Sequence, residues 1–429
     1  MAYSQASTGA WPLRSITPRR LRVLLSAYAF APNQSSEAGV GWNTATRLAK
    51  YHDVTVLCGD LGGGRRTESE LQNYFRIHGP IPGLDVCYVP PSALTRAIHW
   101  MHAQPGLWFL YYPAYKIWQR DAFARAVELH AHKPFDLVHQ LIFASYREPG
   151  YLWRLPVPFF WGPISGAFSP PLKMLRIGGA RFLVRHLGNA FQRRFSRRSA
   201  MAARKASLTW TVSDDDRRLI ESWGGRVEQQ CEVGTSNISE LPRVRRKGEV
   251  LRLVWSGTHI PRKALPLALE AMARLPENQQ FHLDILGEGP STLKCQTMSR
   301  RLHIEHLVTW HGRLALQDAL AVMSKAHALL HTSLSESTST VVLEALASGL
   351  PVVCHDACGM RTAVTDQCGL KVPLLDPETS VDGFCRAIQE LAEPLVYNQL
   401  SAGAIQRAHE LTWDSKVARI SDAYINVCG

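Results

Sequence analysis

Paired cysteines and long apolar runs are both missing from this sequence of 429 residues. Its nine cysteines are scattered, odd in number and without any C-x-x-C pair, which disfavours a disulfide framework and a zinc site. No apolar run reaches the length of about 18 residues that an ordinary transmembrane helix requires. These absences predict a globular protein of the reducing cytoplasm rather than a secreted or membrane-spanning one.

Three common site motifs are absent as well. The segment GEGPST lacks the third glycine of a dinucleotide-binding G-x-G-x-x-G turn, and the sequence contains no Walker A motif. Patterns such as H-E-x-x-H are missing, and the 17 histidines show no ligand spacing. We therefore expect neither a dehydrogenase nor a P-loop enzyme, and we expect no metal site and no cofactor.

Acidic residues are lacking over one long stretch, residues 149–213, which holds eleven Lys and Arg residues. Together with the net charge of +12, this asymmetry predicts an anionic partner. The part that begins at Arg181 and ends at Lys205 alternates Phe and Leu with Arg, which is typical of an amphipathic helix on an anionic membrane surface. A basic helix that is simply solvated explains the same pattern equally well.

What the sequence does contain is a repeated alternation of strand and helix patterns, which indicates an α/β protein with parallel sheets. LRVLLSAY and VTVLC in the first half, and LRLVWSG and FHLDILGEG in the second, are typical of buried strands. The stretch ISELPRVRRKGEV is interpreted as a linker. We therefore predict two Rossmann-like domains whose parallel sheets face a central cleft.

The predicted domain bounds follow from this pattern. Residues 1–20 are interpreted as a flexible leader, 21–240 and 241–412 as the two domains, and 413–429 as a helix that crosses back to the first domain. The segment LRVLLSAYAFA also has features of a signal peptide. We favour a first strand, because EAGVGWN then opens a helix as a strand-to-helix turn should.

Residues 327–356 have the pattern of a strand, a hydroxyl-rich loop, a helix and a second strand. Glu336 falls in the loop and Glu344 in the helix. Eight residues apart, they would point about 80° apart around an ideal helix, so joint action on one ligand requires Glu336 to precede the helix. The first-turn N–H groups form an anion site, and Arg262 and Lys263 after an earlier strand suit a diphosphate.

With these residues placed, the sequence resembles the retaining nucleotide-sugar glycosyltransferases of family 4, which have the GT-B fold. SLSESTSTVVLEALASGLPVV is similar to that family's E-x7-E element, and IPRKALPLALEAM, DILGEGP and VTWHG resemble its neighbouring blocks in the expected order. SEAGVGW resembles the glycine loop after strand one. DLVHQ and FFWGPISGAFSPP resemble blocks of bacterial polysaccharide and lipopolysaccharide glycosyltransferases. The resemblance implies a first domain that binds the acceptor and a second that binds the nucleotide sugar.

The resemblance also implies roles for single residues. Lys263 would neutralise the donor diphosphate with Arg262 beside it. Glu336 would contact the transferred sugar, and Glu344 would bind the ribose hydroxyls. His139 matches a histidine near the end of the corresponding strand, on the acceptor side. The expected catalytic residues are thus Lys263, Arg262, Glu336 and His139.

Other matched positions are expected to bind the donor together with Glu344: Gly39, Gly41, Gly257, Thr258, Thr338, Ser339 and Thr340. Gly39 and Gly41 would let the backbone approach the phosphate. Three positions depart from the family pattern: Thr258 stands in place of an Arg, and Ala264 and Ser339 each stand in place of a Gly. Arg262 is the expected substitute for the missing Arg.

The implied activity is the metal-independent transfer of a hexose from a nucleotide diphosphate sugar to a lipid-linked or membrane-associated saccharide, with retention of configuration. The setting would be exopolysaccharide or lipopolysaccharide biosynthesis, by a cytoplasmic protein peripheral to the inner face of the cytoplasmic membrane. Two alternatives stay open. One is a nucleotide-sugar epimerase of the GT-B fold. The other is a non-catalytic nucleic-acid-binding protein, although no recognition motif accompanies the basic residues, so nucleic acid is not an expected partner.

Overall fold

The computed structural model describes residues 19–32, 36–60, 67–102, 104, 107, 110–142, 145–276 and 280–429, and in these ranges the chain forms two α/β domains. Each domain is built on one parallel sheet, of seven strands in the N-terminal domain and six in the C-terminal domain. The prediction of two Rossmann-like domains with parallel sheets is confirmed.

The N-terminal sheet has the strand order β3-β2-β1-β4-β5-β6-β7. Its strands are β1 (Arg22–Ala27), β2 (Asp53–Cys58), β3 (Leu84–Tyr88), β4 (Leu137–Ile142), β5 (Phe159–Ile164), β6 (Ala206–Thr211) and β7 (Val227–Gln229). Its helices are α1 (Ser36–Leu48), α2 (Thr67–His78), α3 (Ala93–His102), α4 (Tyr111–His132), α5 (Leu175–Phe195), α6 (Arg197–Lys205) and α7 (Asp214–Ser222). Every residue of β5 is buried, which is why FFWGPI is a continuous apolar run rather than an alternating one.

The C-terminal sheet has the order β10-β9-β8-β11-β12-β13. Its strands are β8 (Leu251–Ser256), β9 (Phe281–Leu286), β10 (Val308–Gly312), β11 (Ala328–His331), β12 (Val352–His355) and β13 (Gly369–Val372). The helices are α8 (Leu265–Ala273), α9 (Thr292–Arg301), α10 (Leu316–Met323), α11 (Thr340–Ala347), α12 (Cys358–Ala363), α13 (Pro377–Leu391), α14 (Pro394–Glu410) and α15 (Trp413–Cys428). The helix predicted from about Thr340 is α11.

Each sheet reverses its strand order at one point, and these two reversal points determine where a ligand can bind. In the first sheet β1 pairs with β2 on one side and β4 on the other, and in the second β8 lies between β9 and β11. The connections diverge at such a point and leave a crevice at the carboxyl ends of the strands, where ligands of open α/β sheets bind. A ligand site is therefore expected at the loops after β1, β8 and β11.

The chain crosses between the domains twice, and the two crossing segments are in contact. Thr235 pairs with Thr412 in an isolated parallel bridge, and the ideal Cβ position on Gly234 lies 2.7 Å from the Trp413 nitrogen. From there α15 packs against α1 of the N-terminal domain. The segment predicted as a linker lies on the C-terminal domain, because Arg243 donates hydrogen bonds to the carbonyl groups of Ser348, Ser324 and Ala326.

Two local expectations need correction. The helix expected to begin near Gly41 begins at Ser36, so Gly39 and Gly41 lie inside α1 rather than in a glycine loop. The single basic helix expected over residues 181–205 is two helices, α5 and α6, interrupted at Ser196, whose backbone is not helical. No helix of the described ranges is both long and apolar enough to cross a bilayer.

Candidate functional site

Glu336 forms the centre of a charged cluster at the reversal point of the C-terminal sheet. Its Oε1 atom lies 2.7 Å from Arg262 Nη1 and 2.5 Å from Lys263 Nζ, and it accepts a hydrogen bond from Ser333 Oγ at 2.9 Å. Burial alone would raise the pKa of Glu336, but Arg262 and Lys263 outweigh it and lower the pKa to about 2. Glu336 is therefore ionised at neutral pH, and the two cations share its single negative charge.

Backbone contacts hold the loops after β8 and β11 together. Arg262 and Lys263 belong to a single 3-10 turn, Pro261–Lys263. The Leu334 N–H donates to the Arg262 carbonyl at 2.9 Å, and Thr332 Oγ1 donates to the Lys263 carbonyl at 3.0 Å. Because each loop is tied to the other at several atoms, the cations and the carboxylate are prearranged.

The turn ends at Ala264, where the family resemblance leads one to expect Gly. Ala264 has φ of 50°, in the left-handed region. An alanine there carries a cost of about 1–2 kcal/mol that glycine avoids. The backbone thus has the shape that the motif requires, although the residue departs from it.

A cavity of about 240 Å³ opens beside Glu336, with walls from both domains. The lining comprises Ser165, Gly166, Phe168, Ser213 and Asp216 of the N-terminal domain and Arg262, Ser335, Glu336, Ser337 and Cys358 of the C-terminal domain. The Ser165 and Ser337 hydroxyls lie 2.7 Å apart across the domain boundary. Hydroxyls both donate and accept hydrogen bonds and carboxylates accept them, so this lining complements a ligand rich in hydroxyl groups.

Glu344 lies in a different cavity, of about 540 Å³, which shares no lining residue with the first. Thr340 and Leu343 of the same helix, Gly39 and Asn43 of α1, and the apolar side chains of Leu316 and Leu320 line it with Glu344. Burial raises the pKa of Glu344. The volume is within the range of about 300–1,000 Å³ that small-molecule sites occupy.

The first turn of α11 lies between the two carboxylates in the chain. Ser339 is its N-cap, and its side chain caps no backbone N–H group. Thr338 Oγ1 instead accepts a hydrogen bond from the Glu232 N–H at 3.0 Å. Ser339 thus leaves the first N–H groups of α11 uncapped, and their role as an anion site stays a prediction.

The part of the chain that holds this cluster is similar to known proteins. Residues 240–399 match the profile of the family described as "Glycosyl transferases group 1". The C-terminal domain is a glycosyl transferases group 1 domain. Lipopolysaccharide glucosyltransferase WaaG of Escherichia coli (strain K12) is 30% identical to this chain over 120 residues, which are 27% of this chain and 31% of that protein. The chain spans less than half the length of the curated relatives it matches first.

Solved structures match over nearly the whole chain. Sucrose-phosphate synthase from Thermosynechococcus elongatus has a TM-score of 0.65 at 16% identity, with 94% of this chain and 98% of that chain covered. Anabaena Alr3699/HepE in complex with UDP-glucose has a TM-score of 0.54 at 15% identity, with 94% and 99% covered. These similarities show the GT-B fold, in which the group 1 domain is the second domain.

The remaining predicted positions lie around the group 1 domain in different ways. Gly257 packs on Gly287, whose ideal Cβ position would lie 2.1 Å from the Gly257 carbonyl oxygen. Thr258 is exposed. Gly41 contacts the segment after β1, because a Cβ atom there would lie 2.5 Å from the Ala29 carbonyl oxygen. Their assignment to the donor stays a prediction.

His139 lies apart from both cavities. It is fully buried in β4, with Nδ1 2.5 Å from the Tyr424 hydroxyl of α15 and Nε2 2.7 Å from the Gly162 carbonyl. Burial lowers its pKa to about 3. In this structure His139 joins β4 to α15, and its predicted part in catalysis stays a prediction.

Asp216 is a site residue that the sequence analysis did not single out. It is buried and accepts hydrogen bonds from the Ala167 N–H at 2.8 Å and Ser213 Oγ at 2.5 Å. These bonds tie the start of α7 to the loop after β5, which forms one wall of the cavity beside Glu336. Burial raises the pKa of Asp216 to about 7. The only sequence signal was the capping spacing of Ser213 and Asp216.

A buried charged cluster at the domain boundary was also missed. The Lys416 ammonium donates to the Glu232 carbonyl. Burial raises the pKa of Glu232 to about 7, and burial and then Glu232 raise that of Glu37 to about 8. Burial lowers the pKa of Lys416 to about 7. These residues come from three distant parts of the chain, so no local motif could reveal them.

Proposed function

We propose that this protein is a retaining glycosyltransferase that moves a hexose from a nucleotide diphosphate sugar to a hydroxyl of a membrane-associated saccharide. The observation that carries the proposal is the cluster of Arg262, Lys263 and Glu336 between a hydroxyl-lined cavity and the start of α11. The group 1 domain that contains this cluster, and its relative named as a lipopolysaccharide glucosyltransferase, support it.

The cluster gives the donor diphosphate a site with two cations. Lys263 and Arg262 are paired with Glu336, and a diphosphate that enters competes for both of them. Glu336 then turns to a sugar hydroxyl, for which a carboxylate is a strong acceptor. During transfer, negative charge develops on the leaving diphosphate, and prearranged cations and helix N–H groups stabilise it by several kcal/mol once water is excluded.

Each of the two cavities binds a different part of the donor. The sugar occupies the cavity beside Glu336, and the nucleoside occupies the cavity of Glu344, with the ribose hydroxyls on that carboxylate. Leu316 and Leu320 offer an apolar wall to the base. The diphosphate bridges the two at the start of α11.

Helix α5 lines the cleft and also carries an exposed apolar face. This arrangement supports the proposal that the acceptor is associated with a membrane. His186 and Asn189 line a small cavity together with Arg262. Leu187, Phe191 and Phe195, spaced by four residues along the same helix, are 61%, 65% and 61% exposed. We propose that this face, with the neighbouring arginines, docks on the anionic inner face of the cytoplasmic membrane.

Transfer of labelled sugar from UDP-glucose to a membrane fraction tests the function, after a screen of UDP- and GDP-sugars for thermal stabilisation. We expect Lys263→Ala and Glu344→Ala each to reduce kcat/KM at least a hundredfold, because each removes a charged contact to the donor. Lys294→Ala, an exposed lysine of α9, should keep wild-type activity. Full activity in Lys263→Ala would refute the assignment.

The two alternative functions give different products. A nucleotide-sugar epimerase of this fold converts its substrate without a saccharide acceptor and transfers no sugar to one, so product analysis with and without acceptor separates the two reactions. A nucleic-acid-binding protein shifts labelled DNA or RNA at physiological salt, where contacts to phosphates weaken steeply with ionic strength.

A further inference from the structure

A pocket lined by cations lies on the N-terminal domain and shares no lining residue with the two donor cavities. It encloses about 410 Å³, and its lining is Lys116, Arg120, Phe123, Tyr151, Arg154 and Arg198. None of these six lining residues is acidic, so this wall of the pocket carries four positive charges. Sequence reasoning placed Arg154 and Arg198 in the stretch without acidic residues but gave no reason to group them with Lys116 and Arg120.

Tyr151 arranges three of the four cations. Arg198 Cζ lies 4.6 Å from the centre of its ring and Arg154 Cζ 5.1 Å. The Tyr151 hydroxyl accepts hydrogen bonds from Arg120 Nε at 3.3 Å and Arg198 Nη1 at 3.2 Å. Tyr151 itself is buried at 6% exposure, so its position is fixed by the core. Cations held in this way lose less conformational freedom on binding an anion than free side chains do.

The charges of the pocket also act on one another. Arg198 forms an ion pair with the buried Glu148 carboxylate behind the wall. Burial lowers the pKa of Lys116, and the neighbouring Arg198 and Arg120 lower it further. Like charges at this spacing repel, and an anion that enters the pocket relieves the repulsion.

We propose that this pocket binds a phosphate group or two linked phosphate groups. A guanidinium group can donate to two phosphate oxygens at once, and the Lys116 ammonium adds a compact charge. Arg198 lies just after the break at Ser196 that ends α5, next to the exposed face of that helix. The phosphate of a lipid headgroup and that of a soluble phosphorylated sugar share this chemistry.

Titration calorimetry with inorganic pyrophosphate tests the site. Every protein in the comparison carries Arg262→Gln, Lys263→Gln and Glu336→Gln, which removes the three charges of this cluster together, so that none of the three is left unpaired. Adding Arg120→Ser and Arg154→Ser, both at exposed positions, should weaken binding at least tenfold. Adding Arg300→Ser and Arg301→Ser on α9 removes the same charge elsewhere and should leave the affinity unchanged.

Equal affinity in the two sets of variants, or no binding by the parent, would overturn the proposal, with melting curves confirming that all proteins are folded. Two further arms identify the source of the phosphate. If it is a lipid headgroup, Arg120→Ser/Arg154→Ser lowers binding to phosphatidylglycerol vesicles relative to the Arg300→Ser/Arg301→Ser control. If it is a soluble ligand, vesicle binding matches the control, and glucose 6-phosphate binding falls together with pyrophosphate binding.

Discussion

Glu336 has two successive partners in the proposed reaction, and its charge state decides both. Its pKa of about 2 lies below the value of about 4.3 for an unfolded glutamate. The ion pairs therefore contribute their stability in full above about pH 4.3, and this contribution is lost as the pH falls towards 2. At neutral pH the carboxylate holds the cations in place until a diphosphate replaces it.

Glu336→Gln removes the single negative charge that Arg262 and Lys263 share. We expect the unfolding free energy to fall by about 1–3 kcal/mol, less than for a fully buried pair because Arg262 is partly exposed. UDP should raise the melting temperature of this variant more than that of the wild type, since its diphosphate supplies the missing charge.

Glu344→Gln is the matched control for that comparison. Burial raises the pKa of Glu344, so an uncharged amide there should cost little stability. It should reduce the UDP effect, because the ribose contact is weakened. If Glu336→Gln has the same melting temperature as the wild type, and UDP raises that temperature no more than it does for the wild type, the role of Glu336 as counter-ion is contradicted.

Single residues also show where sequence reasoning stopped. The loop position of Glu336 followed from local pattern, because the strand, caps and helix around it are encoded within about thirty residues of chain. Its ion pair with Lys263 depends on two strands meeting in a sheet, and no local pattern reports that. For the same reason His139 could be placed on β4 but its burial under α15 could not be foreseen.

At the scale of elements, periodicity predicted the type of most segments and was weaker at their ends. Helix α11 and strands β11 and β12 match the expected pattern closely. Helix α1 starts five residues before the expected Gly41. The predicted start was too late because Gly is disfavoured in helices, and the glycines of this segment were therefore interpreted as a turn. Gly41 is tolerated because the chain after β1 packs directly against it.

The proposed contact of helix α5 with a membrane can be tested by substituting its exposed apolar side chains. Leu187→Ser/Phe191→Ser should reduce co-sedimentation with anionic phospholipid vesicles at least fivefold, because about 1.5–3 kcal/mol of burial is lost for each large apolar side chain that no longer enters the interface. Both side chains are more than half exposed, so the melting temperature should change little.

The control for α5 changes two leucines of the C-terminal domain that are even more exposed than Leu187 and Phe191. Leu293→Ser/Leu395→Ser should leave vesicle binding unaltered. Arg194→Ser/Arg197→Ser then separates charge from apolar contact, and it spares Arg193, which donates to the Ala167 carbonyl at 2.7 Å. Vesicle binding that survives both the α5 and the arginine changes would exclude this helix as the docking surface.

At the scale of the whole molecule, the relation between the domains depends on a small area where the chain crosses twice. Thr235 on the outgoing crossing accepts a hydrogen bond from Trp413 N–H on the returning one at 3.4 Å, and its own N–H donates to Leu411. Lys416 and Glu232 lie beside the same crossing, next to Thr338 at the start of α11. A shift there would change the shape of both cavities, because each has walls from both domains.

Gly234→Ala tests this dependence, because a Cβ atom at this position would lie 2.7–2.8 Å from the backbone of Trp413. Close contact with backbone forces the crossing apart, so we expect a loss of about 1–3 kcal/mol in unfolding free energy and a lower kcat/KM with the donor cations intact. Gly188→Ala makes the same change on α5, where nothing lies within 4 Å, and should be neutral or slightly stabilising. If calorimetry and transfer assays find the two alanine variants alike, the crossing does not set how the two domains are arranged around the cavity of Glu336.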